Sequence, residues 1–161
     1  MRKQIKTIKI EEFEYIPDSH KNDPDLDITS SDISKRPMVF VGRHLSKDEY
    51  YKAKDLIEVK GRETLSKEEI ESLRDFDSNP EKATSAMLKI KRVNEYEFTK
   101  YVFLTACKQI KNVLMDDKVI EVMEKKDIAK LLNTYGADAE IETFCSYIFN
   151  QSGLSESEAK K

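Results

Sequence analysis

The feature that most constrains this chain is a six-residue pattern that occurs twice: Leu45-Ser46-Lys47-Asp48-Glu49-Tyr50 and Leu65-Ser66-Lys67-Glu68-Glu69-Ile70. In each copy a serine hydroxyl can accept from the backbone N–H three residues on. The glutamate there can accept in return from the serine's own N–H. The apolar residues on either side, Leu45 with Tyr50 and Leu65 with Ile70, can close across that first turn. Two helices therefore start at fixed points, and the chain before Leu45 must be something else. The likeness fits a duplicated helix, but it fits better the convergence of two helix starts on the same chemistry.

Periodicity predicts helices from there onward. The first runs over 47–60, with Tyr50, Ala53 and Ile57 inward and Gly61 as its stop. The second, 67–76, carries Ile70 and Leu73. A third starts at Pro80 after Ser78-Asn79 and carries Ala83, Ala86, Met87 and Ile90. Asn94-Glu95-Tyr96-Glu97, between Val93 and Phe98, reads as a looser third start, opening a long helix over 95–115. Its stripe is Thr99, Val102, Phe103, Ala106, Ile110, Val113 and Leu114, widened by Tyr101, Leu104 and Cys107. That stripe predicts the centre of the domain. Shorter helices are expected over 118–124 and over 128–135, the latter stopped by Gly136. A last one, capped by Asp138, aligns Ile141, Phe144, Cys145 and Ile148, and Gly153 ends it.

The segment before Leu45 is different material. Residues 3–16 alternate in strand fashion, but Ile8 and Ile10 lie on one parity and Phe13 and Tyr15 on the other, so a bend is expected near Glu11-Glu12. Residues 17–35, with five Asp and four Ser, read as a long acidic loop. Residues 37–41 are a short strand, closed by Gly42, that pairs with the first. The expected fold is α+β and predominantly α: a short N-terminal antiparallel β segment followed by a compact helical bundle. The segments are 1–43, containing loop 17–35, then a helical part over 44–153 and a polar tail over 154–161.

Composition narrows the function. The 28 basic and 31 acidic residues give a net charge of −3, which leaves no electrostatic footprint for nucleic acid. The N-terminus lacks a secretory apolar core, and the longest apolar stretch, Tyr101 to Cys107, is too short to span a bilayer. The expectation is a cytoplasmic chain, in which Cys107 and Cys145 read as small buried hydrophobes.

Catalytic chemistry finds no foothold. His20 and His44 are the two histidines, and no HxxxH, HExxH or CxxC spacing occurs. Asp23-Pro24-Asp25-Leu26-Asp27 invites comparison with a calcium loop, but Ile28 stands where glycine is needed and Ser34 where a bidentate glutamate is needed. The four glycines, at 42, 61, 136 and 153, form no phosphate loop. Arg43 and His44 are expected at a solvated strand end. No catalytic residue, metal site or cofactor is expected.

An interaction role is the better fit. Seven tyrosines, Tyr15, Tyr50, Tyr51, Tyr96, Tyr101, Tyr135 and Tyr147, suit either an interface or the edge of a core. The N-terminal segment and acidic loop suit either an internal hairpin or an arm lying along a partner.

The order of elements carries a resemblance. Phe13-Glu14-Tyr15-Ile16-Pro17 leads into the acidic stretch. Arg36-Pro37-Met38-Val39-Phe40-Val41-Gly42-Arg43-His44-Leu45-Ser46-Lys47-Asp48-Glu49-Tyr50 follows, and the helical remainder closes on Asn150-Gln151-Ser152-Gly153-Leu154-Ser155-Glu156. This arrangement resembles the tail assembly chaperone-like proteins of tailed phages and prophages. The resemblance implies a non-enzymatic morphogenesis protein in the host-cell cytoplasm. It would bind the tape-measure protein, keep its apolar helices in solution, and give way to tail-tube protein, with a homo-oligomer open. Two alternatives stand beside it. One is a structural virion component, such as a head–tail connector or tail-completion protein; the other is a phage-encoded inhibitor of a host protein. The candidate partner-binding residues are Phe13, Tyr15, Asp23, Asp25, Asp27, Phe40, Tyr50 and Tyr51.

Overall fold

The computed structural model describes residues 11–58, 60–135 and 139–158. Both helix starts behave as their chemistry dictates. The Ser46 N–H donates to Glu49 Oε2 at 2.8 Å and the Glu49 N–H donates to Ser46 Oγ at 3.4 Å, opening α2 (Lys47–Glu58), which follows the one-turn helix α1 (Asp18–Lys21). The Ser66–Glu69 box opens α3 (Lys67–Arg74) in the same way, at 2.7 and 3.2 Å. Asn79 accepts from the Lys82 N–H and Pro80 takes the first helical position of α4 (Pro80–Ala106).

The fold is α+β and mostly helical, around one four-stranded antiparallel sheet of order β1-β2-β3-β4. β1 (Glu12–Tyr15) pairs with β2 (Val39–Arg43) in unbroken register from Glu12↔Arg43 to Tyr15↔Phe40, the pairing the N-terminal pattern predicts. Residues 3–10, with Ile8 and Ile10, lie outside the described residues. The other two strands, β3 (Cys107–Met115) and β4 (Lys118–Glu124), come from much later in the chain. The sheet thus ties residues 12–43 to residues 107–124. α5 (Lys125–Tyr135) and α6 (Ala139–Glu158) follow the sheet.

Two helical expectations are overturned here, for an identifiable reason. The helix expected over 95–115 ends at Ala106, and its stripe continues onto a strand: Cys107, Ile110 and Val113 are buried with a spacing of three. A regular strand repeats every two residues. β3 departs from that rule twice. Between the pairs Gly42↔Cys107 and Val41↔Gln109 it carries one residue more than β2, a bulge, and Asn112 takes φ 58. Each irregularity turns a step of two into a step of three, and a strand with threefold spacing imitates a helix face. Residues 118–124, also expected as helix, are β4. The two-residue link Asp116-Asp117 has φ 48 and 60, the twist of a tight hairpin turn, and β-branched Val119, Ile120 and Val122 suit a strand.

The third helix start is also corrected. Asn94 lies inside α4, which runs unbroken through the expected gap. Its side chain is buried and bridges to the preceding segment: Asn94 Oδ1 accepts from the Gly61 N–H, and Nδ2 donates to the Ile57 carbonyl at 2.6 Å. Gly61 sits in a 3₁₀ turn (Lys60–Thr64) pressed against α4. A Cβ there would fall 2.7 Å from Ile90 Cα. Gly153 does not end its helix, since α6 continues to Glu158. The Tyr50 ring occupies the space a side chain would need, with Oη 2.9 Å from an added Cβ. Gly136 and Asp138 lie outside the described residues.

The core sits where β2, α4 and α6 meet. Phe40 stacks on Phe144 at 4.9 Å, and Phe103 stands edge-on to both at 6.1 Å. The opposite face of the sheet is closed by polar side chains. Ion pairs Glu12–Lys108 and Glu14–Lys111 bridge β1 to β3 across β2 there, the Gln109–Glu124 hydrogen bond joins β3 to β4, and Val39 and Val41 of β2 are buried beside them. Among the described residues no helix is long and apolar enough to cross a membrane.

Candidate binding cleft

The acidic loop is ordered by its own side chains. Asp23 Oδ1 accepts from the Asp25 N–H at 2.9 Å. Asp27 Oδ1 accepts from the N–H and hydroxyl of Thr29, both at 2.8 Å, and Asp32 Oδ1 from the N–H and hydroxyl of Ser34 at 3.0 and 2.7 Å. These are the Asp-centred turns such a composition favours. The Thr29 donors hold the Asp27 carboxyl below its ordinary range, and the Ser34 donors do the same for Asp32. The carboxylates therefore bind neighbouring backbone instead of converging, and among the described residues no three His, Cys, Asp or Glu side chains gather as metal ligands.

Longer bonds close the loop on itself and on the domain. The Asp27 N–H donates to the Lys35 carbonyl at 2.7 Å, and Arg36 Nε to the Ser30 carbonyl at 2.6 Å. The Met38 N–H donates to His20 Nδ1 at 2.9 Å, and the Ser19 hydroxyl to Glu140 Oε1 of α6 at 3.3 Å.

Between this loop, the sheet and the last two helices lies a cleft of about 590 Å³. His20, Leu26, Ser34 and Arg36 form the loop wall. Met38, Phe40, Ile110 and Val113 supply an apolar floor, and Leu131 of α5 and Ile141 of α6 stand opposite. Asn112, Asp116 and Glu140 add polar groups. The Asn112 Nδ2 donates to the Pro37 carbonyl at 2.9 Å, so the residue whose φ breaks β3 also pins the entry to β2. The cross-strand pair Leu114↔Val119 extends the apolar lining outward, and Leu114 is 69% exposed.

Of the eight candidate partner-binding residues, only Phe40 lines this cleft, and at 1% exposure it is a core residue at the cleft's base. Tyr15 is also core, 8% exposed and against Phe144 and Tyr147 at 5.7 and 5.0 Å. Neither offers free surface. Phe13 is half-buried between His44 and Tyr147. Asp23, Asp25 and Asp27 lie on the loop but outside the cleft lining. Tyr50 stacks on Phe149 at 4.6 Å, and Tyr51 is 40% exposed beside it. The residues that make the cleft come from segments up to 121 positions apart, and no local pattern marks them.

Arg43 and His44 are not at a solvated strand end. Arg43 grips Glu49 with two bonds, 2.8 and 2.9 Å, joining the end of β2 to the start of α2. The guanidinium holds the Glu49 carboxyl down to about 2, and Glu49 in turn raises Arg43. His44 lies against the Phe13 ring at 5.0 Å; its Nδ1 is buried and has no hydrogen-bond partner among the described residues. Both cysteines are free and buried. Burial pushes the Cys107 thiol up to about 12 and Cys145 well above its usual value, which keeps both protonated and unreactive.

No protein-family model matches this sequence, and no curated protein and no solved structure matches the chain.

Proposed function

We propose that this chain is a non-enzymatic assembly protein that shelters an apolar segment of a partner protein in the cleft, as a tail assembly chaperone shelters the tape-measure protein in the host-cell cytoplasm. The observation that carries the reading is the cleft itself, about 590 Å³ with an apolar floor and a polar rim. That volume is in the range of built binding sites. Its apolar lining runs outward over Val119 to the exposed Leu114. A small molecule filling the cleft would leave that lip uncovered, whereas an amphipathic helix with anchors three and four residues apart would cover floor and lip together. The loop is bonded to its own domain at His20 and Ser19, which weighs for a fixed groove over a free docking arm.

Co-expression with a tailed-phage tape-measure protein tests the reading. The expected result is a higher soluble yield of that partner and its co-purification, both lost in Leu114→Lys. Because Leu114 is mostly exposed, that substitution leaves the fold intact. No effect on solubility and no co-purification would sink the proposal.

One observation favours a second reading. β4 is the last strand of the sheet, and its outer edge is unpaired among the described residues. Such an edge suits strand-to-strand addition to a neighbouring subunit, as in a structural virion component. Mass spectrometry of purified particles separates the two, since a chaperone is present in lysates and missing from particles.

A further inference from the structure

We propose that His20 is a pH-operated latch on the cleft: the neutral ring fastens the loop wall to the sheet, and protonation releases it. The proposal concerns regulation of the site described above and rests on that reading for its functional consequence. The latch itself is a property of the free protein.

The geometry requires a neutral ring. The Met38 N–H, at the entry to β2, points at His20 Nδ1 from 2.9 Å. An imidazole nitrogen accepts only through its lone pair, so the proton of the neutral ring is on Nε2. A second proton, on Nδ1, would set two donors against each other and break the bond. What that bond holds is well defined. The Met38 side is rigid, because β2 lies in the sheet and Asn112 fixes the Pro37 carbonyl. The loop side is a closed unit, tied internally by Asp27 to Lys35 and by Arg36 to Ser30. A second hydrogen bond from α1 reaches α6, the longer and exposed one from Ser19 to Glu140.

Charged groups lie on the ring's own element and elsewhere in the cleft lining. On its own element are Asp18 and Lys21, paired with each other at 3.2 Å. Across the cleft lining it shares space with Arg36 from the loop, Asp116 from the β3–β4 turn and Glu140 from α6. A proton on Nδ1 therefore removes the bond to the Met38 amide, which makes the latch two-state. The loop wall carries His20, Leu26, Ser34 and Arg36, so its release changes the cleft's width directly.

The test is amide hydrogen exchange and NMR on the free protein at pH 8 and pH 5.5, compared as protection factors so that intrinsic exchange chemistry cancels. His20→Asn is the control, because its Oδ1 can take the place of Nδ1 as acceptor but cannot titrate. In the wild type, Met38 and residues 18–36 are expected to lose protection by about tenfold at the lower pH, in step with the His20 ring signal. His20→Asn is expected to keep its protection at both. A Met38 amide that stays protected while the ring titrates would overturn the latch, as would a ring that fails to titrate or the same pH response in His20→Asn. A working latch on a protein that binds no apolar partner would refute the proposed function alone; partner binding without this response would refute the latch alone.

Discussion

Substituting Gly61 by alanine tests the most specific packing in the structure. The backbone of Gly61 lies against α4 so closely that a Cβ would fall 2.7 Å from Ile90 Cα and 2.8 Å from Asn94 Oδ1, and closer still to the Ile90 carbonyl. Two of these atoms are backbone of a 27-residue helix, so the 3₁₀ turn must move instead. Its movement breaks the Gly61–Asn94 bond and loosens the Asn94–Ile57 bond, leaving a buried amide without partners. An unsatisfied buried polar group costs roughly 1–3 kcal/mol, and two affected bonds bring the loss to about 3–4 kcal/mol. Against this, alanine restricts the unfolded chain and returns about 0.4–1 kcal/mol. The expected net loss is therefore about 2–3 kcal/mol, read as a lower urea midpoint with an unchanged slope. Asn94→Ala removes the same two bonds from the other side. The double variant should then be little worse than the less stable single, with a coupling of about 2–3 kcal/mol. A neutral Gly61→Ala, or losses that simply add, would refute the close approach and the Asn94 bridge together.

Three further outcomes are expected. Glu49 is held from the usual 4.5 down to about 2, so its stabilisation is complete above the higher value and disappears as the pH falls toward the lower one. Glu49→Gln should cost about 2–3 kcal/mol at pH 7, and the gap to wild type in urea melts should narrow below about pH 4.5 and close near pH 2; a constant gap would contradict the Arg43 pairing. Asp117 has φ 60 in the β3–β4 turn, so Asp117→Gly should be neutral or stabilise by up to about 1 kcal/mol in thermal melts. A clear loss would contradict the left-handed conformation of the turn at Asp117. A thiol reagent at pH 8 should leave Cys107 and Cys145 untouched in the native protein and label both in urea, and stoichiometric labelling of the native form would contradict their burial.

The residues that determine structure locally could be read directly. Ser46 with Glu49, Ser66 with Glu69, and Asn79 with Pro80 start helices because each cap is made by atoms three residues apart. The pairing of β1 with β2 was legible for a similar reason, from short apolar runs bounded by breakers. The α+β class followed from these alone. Tertiary structure decided everything that depends on a partner far along the chain. Whether Ile110 and Val113 continued a helix or entered a strand could not be told from spacing, because a bulge and one residue at φ 58 gave the strand a helical period. Asn94 looked like a cap, since nothing nearby reveals that Gly61 and Ile57 wait 33 and 37 residues upstream. The cleft is the extreme case: its loop wall, floor and far wall meet only after β3 inserts beside β2. Local hydrogen bonds are written in short spacings, while a binding site is written in contacts whose sequence separation carries no pattern.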